Sequence, residues 1–230
     1  MPLCARLPDA VMNIFYLHGF ASSADSKKAA YFRERLQAHG LTLRCPDFNE
    51  PDFASLTMSR MLDRLSREFG ALTDESIALI GSSLGGTLAI LAAGRFADRV
   101  DRLALLAPAV MFAKPGHHLL PPERVEEWQR KGALPFFHYG FNEERLLDFA
   151  FYTDTLQYDA FETRFTQPTL IFQGVRDASV DYRTVEAFSR AHPNVTLSLL
   201  DDDHQMITSL PRIWDGLEPF LELLIYRWVP

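Results

Sequence analysis

The sequence predicts an α/β fold: a reduced, mainly parallel sheet of about six strands flanked by helices, with a helical or loop lid inserted in the second half of the chain. Three observations predict it. Short apolar runs alternate with longer stretches of helical periodicity along most of the 230 residues, the pattern of strands joined by crossover helices. Those runs are continuously apolar rather than alternating, as expected of strands covered on both faces. Finally, about 60 residues separate the fourth run from the fifth, far more than a helix with its usual short loops requires.

The strands fall at about 12–17 (MNIFYL), 41–45 (LTLRC), 76–81 (SIALIG), 102–107 (RLALLA), 169–173 (TLIFQ) and 195–200 (VTLSLL). Helices fit 26–38, 55–69, 84–96, 182–191 and 210–226. In the last of these, Ile213, Leu217, Phe220, Leu221, Leu224 and Trp228 recur at helical spacing and make one core-facing stripe. Lys27 and Lys28 read as the solvated start of the first helix, and His39 and His192 sit at helix ends. The insertion, at about 109–165, contains several prolines and concentrates aromatics, among them Trp128, Tyr139, Phe141, Phe149, Phe151 and Tyr152. Long insertions with their own apolar content serve as lids or binding elements. Phe112, Phe136, Phe137 and His138 are its candidates for lining a substrate pocket. With no repeat, low-complexity tract or linker, one domain over 1–230 is expected.

Composition narrows the function. With 47% hydrophobic residues the chain can bury a sizeable core, and a formal charge of −7 argues against binding nucleic acid by neutralising phosphates. Cys4 and Cys45 make neither a disulfide framework nor metal-ligand spacing and read as reduced thiols. The His117–His118 pair beside Lys114 and Pro115 lacks a third ligand at useful spacing and reads as an exposed lid pair, so no metal is expected. The opening MPLCARLPDAVMNIFYLHGF does not have the charged start and long apolar core of a signal peptide, and no run approaches the ~20 apolar residues of a membrane helix. A cytoplasmic protein with no membrane span is expected.

The chemistry-bearing motif is Gly81-Ser82-Ser83-Leu84-Gly85, a G-x-S-x-G between a buried strand and a helix rich in small residues, GGTLAILAAG. That is the strand–turn–helix setting of a nucleophile elbow, where glycines leave room for a sharp turn, and it selects Ser83. For Ser82 the glycine positions would be Ile80 and Leu84, so it reads as a packing residue. A hydroxyl needs a base to take its proton and a third group to orient the base. If the order is Ser, acid, His, strand TLIFQ is followed by Asp177 and strand VTLSLL by His204, both at C-terminal strand ends, where open α/β sheets place their sites. Asp181 is the better helix N-cap, which frees Asp177; one of Asp201, Asp202 and Asp203 could instead partner His204. The first strand ends in Leu17-His18-Gly19-Phe20, so the backbone N–H groups of Phe20 and Leu84 are the candidate oxyanion donors. His18 lies on the wrong side of the serine for a base in this order and reads as shaping that loop.

Together, YLHGFASS, IGSSLGG, the strand-end Asp177 followed by Val180-Asp181-Tyr182-Arg183, and the late His204 resemble the serine α/β-hydrolases. They are most similar to the small bacterial YqiA-like esterases, which carry a related HGF-x-SS segment, a GSSLGG elbow and a D-Y-R segment. The resemblance covers the core strands and their loops, about two thirds of the chain, and thins out in the insertion. It implies a hydrolase sheet without its usual first two strands, and hydrolysis of a small-molecule acyl ester by a Ser83–Asp177–His204 triad without a cofactor. Where the family commonly has glycine close before the histidine, this chain has Asp201 to Asp203. A C–C bond hydrolase or an acyltransferase would use the same triad. A third alternative is a non-catalytic ligand-binding or interaction protein that keeps the hydrolase fold; the intact set of serine, histidine, acid and glycines argues against it.

Overall fold

The computed structural model describes residues 12–73, 76–114, 116–117 and 119–223. Cys4, Pro115, His118, Leu224 and Trp228 lie outside them. The chain runs β1 (Asn13–Leu17), α1 (Lys27–Gln37), β2 (Leu43–Arg44), α2 (Met58–Gly70), β3 (Ile77–Ser82), α3 (Leu84–Arg95) and β4 (Val100–Leu106). It continues through α4 (Pro122–Lys131), β5 (Ala133–His138), β6 (Glu143–Asp148), α5 (Ala150–Thr155), β7 (Thr169–Gly174), α6 (Tyr182–Ala191), β8 (Val195–Leu200) and α7 (Leu210–Phe220).

Six strands form one sheet in the order β2-β1-β3-β4-β7-β8, every pairing parallel. The pleat explains the unbroken apolar runs. Ile14, Tyr16, Ala78, Ile80, Ala104 and Leu106 point into a core shared with α1 and α7. Phe15, Leu17, Ile77, Leu79, Leu103 and Leu105, their neighbours in sequence, point into the opposite core with α2, α3 and α6. Helices start on side-chain caps: the oxygens of Ser26, Thr57 and Asp181 accept from the amides of Ala29, Arg60 and Arg183. The central helix α3 is buried from Leu84 through Ala93, which is why its sequence is small and apolar on every face.

The edge strand β2 is shorter than the expected 41–45, since Pro46, next after Cys45, has no N–H to continue a ladder. Helix α7 ends at Phe220, short of the expected 226, and keeps Ile213 and Leu217 buried, with Leu221 buried just past its end.

The larger difference lies in the insertion, which holds an antiparallel hairpin, β5–β6, between α4 and α5 in addition to helix and loop. Leu134 and His138 are buried while Pro135 and Phe137 are exposed, the two-residue alternation of a strand. In PFFHYGF both faces carry rings, so that alternation is hidden in sequence. Asn142, at φ 56°, closes the four-residue turn, a left-handed position that asparagine tolerates. Trp128 is fully buried, donates Nε1 to the Leu147 carbonyl at 2.8 Å and packs on Phe136, Phe149 and Phe151. Much of the insertion's aromatic content is therefore core. Among the described residues no helix is long and apolar enough to cross a membrane.

Candidate active site

Parallel strands bring their C-terminal ends to one edge of the sheet, and there the loops after β1, β3, β7 and β8 converge. Ser83 sits between β3 and α3 at φ 54°, ψ −116°, a strained conformation for a residue with a side chain. The turn is tight enough that a Cβ at Gly85 would run into the Leu17 carbonyl, and one at Gly81 into the Gly85 carbonyl. Ser83 donates its N–H to the Leu106 carbonyl at 2.9 Å, and its own carbonyl accepts from Gly86, Thr87 and Ala109. The backbone is fastened on both sides while Oγ projects outward. Ser82 is buried beside the Tyr16 hydroxyl, whose pKa burial pushes up to about 12.

His204 Nε2 lies 3.1 Å from Ser83 Oγ, and its Nδ1 lies 2.8 Å from Asp177 Oδ2. The Asp177 side chain is wholly buried, whereas 22% of the histidine's remains exposed. Burial pushes the Asp177 carboxyl up, but the His204 bond and the Val180 and Ser179 amides on Oδ1, both at 2.8 Å, outweigh it and hold the group below its ordinary value. An ionised carboxylate can only accept, so His204 carries a proton on Nδ1, and in the neutral imidazole Nε2 is the nitrogen that accepts from the serine.

The neighbouring aspartates are occupied elsewhere. Asp202, 4% exposed, accepts from Asp203 N, Thr208 Oγ1 and Ser209 N and ties the loop to the start of α7. Asp203 accepts from Gln205 N, and Asp201 pairs at the surface with Arg176. Asp181 caps α6, as expected.

Phe20 and Leu84 N–H groups find no acceptor among the described residues, and Gly19 lies against Ser83, a Cβ there standing 3.4 Å from the serine Cβ. His18 is buried and shapes this loop: Nδ1 donates to the Gly19 carbonyl at 3.0 Å and Nε2 accepts from Phe48 N at 3.2 Å. The Phe20 ring packs against Phe53, Phe136 and Phe151. Of the expected lining residues, Phe136 thus faces Phe20, and half-buried Phe112 packs on Phe151. Two expectations are corrected. His138 is 0% exposed, its ring nitrogens taken up by Asn49 and the Phe141 amide, so it lines no accessible pocket. Phe137 is 46% exposed on the opposite face of β5 because adjacent strand residues point to opposite sides.

Lys28 is a further correction. It is half-buried, and its Nζ donates to the carbonyl of Gln205, next to His204, at 3.2 Å. Burial pulls its pKa down to about 8 although Asp177, Asp203 and Asp202 act the other way. Gln173, which carries no local sequence signature of its role, has its amide nitrogen surrounded by Asp177 Oδ2, Gly174 O and Val180 O and so supports the acid. Gly174 makes a close approach of its own: any side chain there would strike the Asp202 carbonyl. A glycine straight after an apolar strand was the available signal for that close approach.

More than nine tenths of the chain superposes on solved structures at low sequence identity. Est1E from Butyrivibrio proteoclasticus, with ferulic acid bound, gives a TM-score of 0.79 at 23% identity over 95% of this chain and 91% of that one. Alpha/beta hydrolase domain-containing protein 10 from mouse gives 0.77 at 20% over 96% and 92%, and a metagenome-derived structure from work on the lipolytic enzymes LipS and LipT gives 0.72 at 18% over 92% and 93%. No curated protein sequence matches. The profile of the uncharacterised protein family UPF0227 matches residues 13–217, so the chain, which has the α/β-hydrolase fold, belongs to that family.

Proposed function

We propose that the protein is a serine hydrolase of carboxylic esters or thioesters that works through an acyl-enzyme. The observation that carries this reading is the unbroken hydrogen-bonded chain from Ser83 Oγ through His204 to the buried Asp177. In the proposed reaction His204 Nε2 takes the Ser83 proton as Oγ attacks the carbonyl carbon. The amides of Phe20 and Leu84 hold the oxyanion, and the imidazolium then protonates the departing alcohol or thiol. A water deprotonated by the same Nε2 attacks the acyl-enzyme, and Ser83 recovers its proton as the acid leaves. The partly buried rings of Phe20, Phe112 and Phe136 supply an apolar wall for one side of a small-molecule substrate.

In this reading residues 1–230 form one domain, residues 109–165 are its lid, and the protein works in the cytoplasm. A fluorophosphonate should label Ser83, and turnover of p-nitrophenyl esters should disappear in Ser83→Ala and His204→Ala. Labelling that persists in Ser83→Ala would overturn the nucleophile. The esters tested should include those of aromatic acids, because Est1E binds ferulic acid on the same fold. Labelling without ester turnover would turn the reading toward C–C bond hydrolysis or acyl transfer.

A further inference from the structure

The segment Gly19–Ser23, which carries the Phe20 amide, does not hold its shape by itself. Ala21 sits at φ 51°, a left-handed conformation costing an L-residue on the order of 1–2 kcal/mol and kept only where the surroundings impose it. Those surroundings come from the inserted hairpin. Tyr139 N donates to the Ala21 carbonyl at 2.8 Å, and Gly140 N reaches the same oxygen at 3.4 Å. Gly140 packs so closely that a Cβ there would stand 2.8 Å from the Ser23 Cβ.

A buried polar pair completes the attachment. Asn49 Nδ2 donates to the Ser22 carbonyl at 2.9 Å and to Asp47 Oδ1 at 2.8 Å, so Asn49 Oδ1 must accept, and it does so from His138 Nε2 at 3.0 Å. His138 Nδ1 in turn accepts from Phe141 N at 3.2 Å. The tautomer and the amide orientation are therefore mutually determined, in a pair 0% and 5% exposed. Phe141 stacks on the imidazole at 4.2 Å and Phe53 meets it edge-on at 4.8 Å; the Phe53 ring also touches Phe20. The His138–Asn49 bond joins segments 89 residues apart in sequence, and the other polar atoms of both side chains are also engaged, Asn49 Nδ2 with Ser22 and Asp47 and His138 Nδ1 with Phe141.

We propose that Asn49 and His138 are positioning residues that lock the β5–β6 hairpin onto the Gly19–Ser23 segment and thereby hold the Phe20 amide over Ser83. The proposal rests on the acyl-transfer reading above, in which that amide stabilises the oxyanion. The hairpin is then a fixed support of the reaction centre rather than a flap.

The test compares wild type, Asn49→Ala, His138→Ala and His138→Gln on p-nitrophenyl butyrate, with hydrogen exchange followed over residues 18–23, 138–141 and, as a core reference, 77–82. Deleting one oxyanion donor costs roughly 10²–10³ in kcat, so a donor that is displaced should cost less. Asn49→Ala and His138→Ala should lose about 10–100-fold in kcat with KM within about threefold, because the interaction strengthens only in the transition state. Exchange over 18–23 and 138–141 should rise together while 77–82 stays protected. His138→Gln, which keeps an N–H directed at Asn49, should recover much of the rate. Active variants within twofold of an active wild type, or unchanged exchange over 18–23, would overturn the clamp. So would a rate loss that follows only a general rise in exchange, including 77–82. A wild type that neither turns over esters nor reacts with a fluorophosphonate would instead overturn the acyl-transfer reading, whatever the exchange shows.

Discussion

Replacing Asp177 by asparagine tests the orientation of His204 with little change of shape. The structure dictates how the new amide must sit. Oδ1 of Asp177 accepts from the Ser179 and Val180 N–H groups, both at 2.8 Å, and an NH2 group there would face two donors. The asparagine oxygen is therefore favoured on that side, against two backbone donors, and its nitrogen on the Oδ2 side, 2.8 Å from His204 Nδ1, where the one competing donor, Gln173 Nε2, keeps the Gly174 and Val180 carbonyls as acceptors. His204 must then accept on Nδ1 and carry its proton on Nε2, the tautomer unable to take the proton of Ser83. The expected loss in kcat is about 10³–10⁴, or roughly 4–5.5 kcal/mol of barrier. The assay is steady-state hydrolysis of a p-nitrophenyl ester, with circular dichroism to establish that the variant folds. A loss of less than about tenfold in Asp177→Asn, with a large loss in Asp203→Asn, would refute this assignment of the acid.

Other perturbations separate the roles of neighbouring residues. Gly85→Ala drives a methyl group into the Leu17 carbonyl of a fully buried strand, so the variant should lose at least 1–3 kcal/mol of stability and most of its turnover, read by thermal melting and the ester assay. Asp202→Ala strands two amides and a hydroxyl and should cost about 2–3 kcal/mol, lowering Tm by roughly 4–12 °C. Asp201→Ala loses a single ion pair whose carboxylate is 85% exposed, and its melting temperature should scarcely change. Both Asp177 and Asp202 are held below the ordinary carboxylate range, so the stability they confer is complete above an unfolded value near 3.9 and lost as the pH falls through their folded values. Between about pH 5 and 7 these two groups leave the melting temperature level, and below about pH 4 it should drop, with a shallower drop in Asp202→Asn.

The parts of the site legible in sequence are those with a local physical signature. Ser83 is marked by Gly81 and Gly85, which a turn with a carbonyl in van der Waals contact demands, and by the buried strand and small-residue helix on either side. Asp177 and His204 are marked by their place just past strand ends. The parallel sheet follows from continuous apolar runs, whose alternate residues fill two separate cores. Where both faces of an element are apolar, as in β5, no periodicity survives to tell strand from loop, so the hairpin has no signature in the sequence.

Sequence alone determined the fold class, the six strands and the placement of Ser83, Asp177 and His204 just past C-terminal strand ends, because those depend on short-range spacing and burial. Only the tertiary structure decided which aspartate meets His204. Asp201, Asp202, Asp203 and Asp177 are the same functional group, and they differ in the direction each points once β7 and β8 are paired. It also decided that Lys28 turns inward to the carbonyl of Gln205, 177 residues away, and that His138 is a buried partner of Asn49 rather than a pocket residue. A hydrogen bond between distant segments needs one donor and one acceptor at about 3 Å, and such a pair leaves no trace in the spacing of either segment.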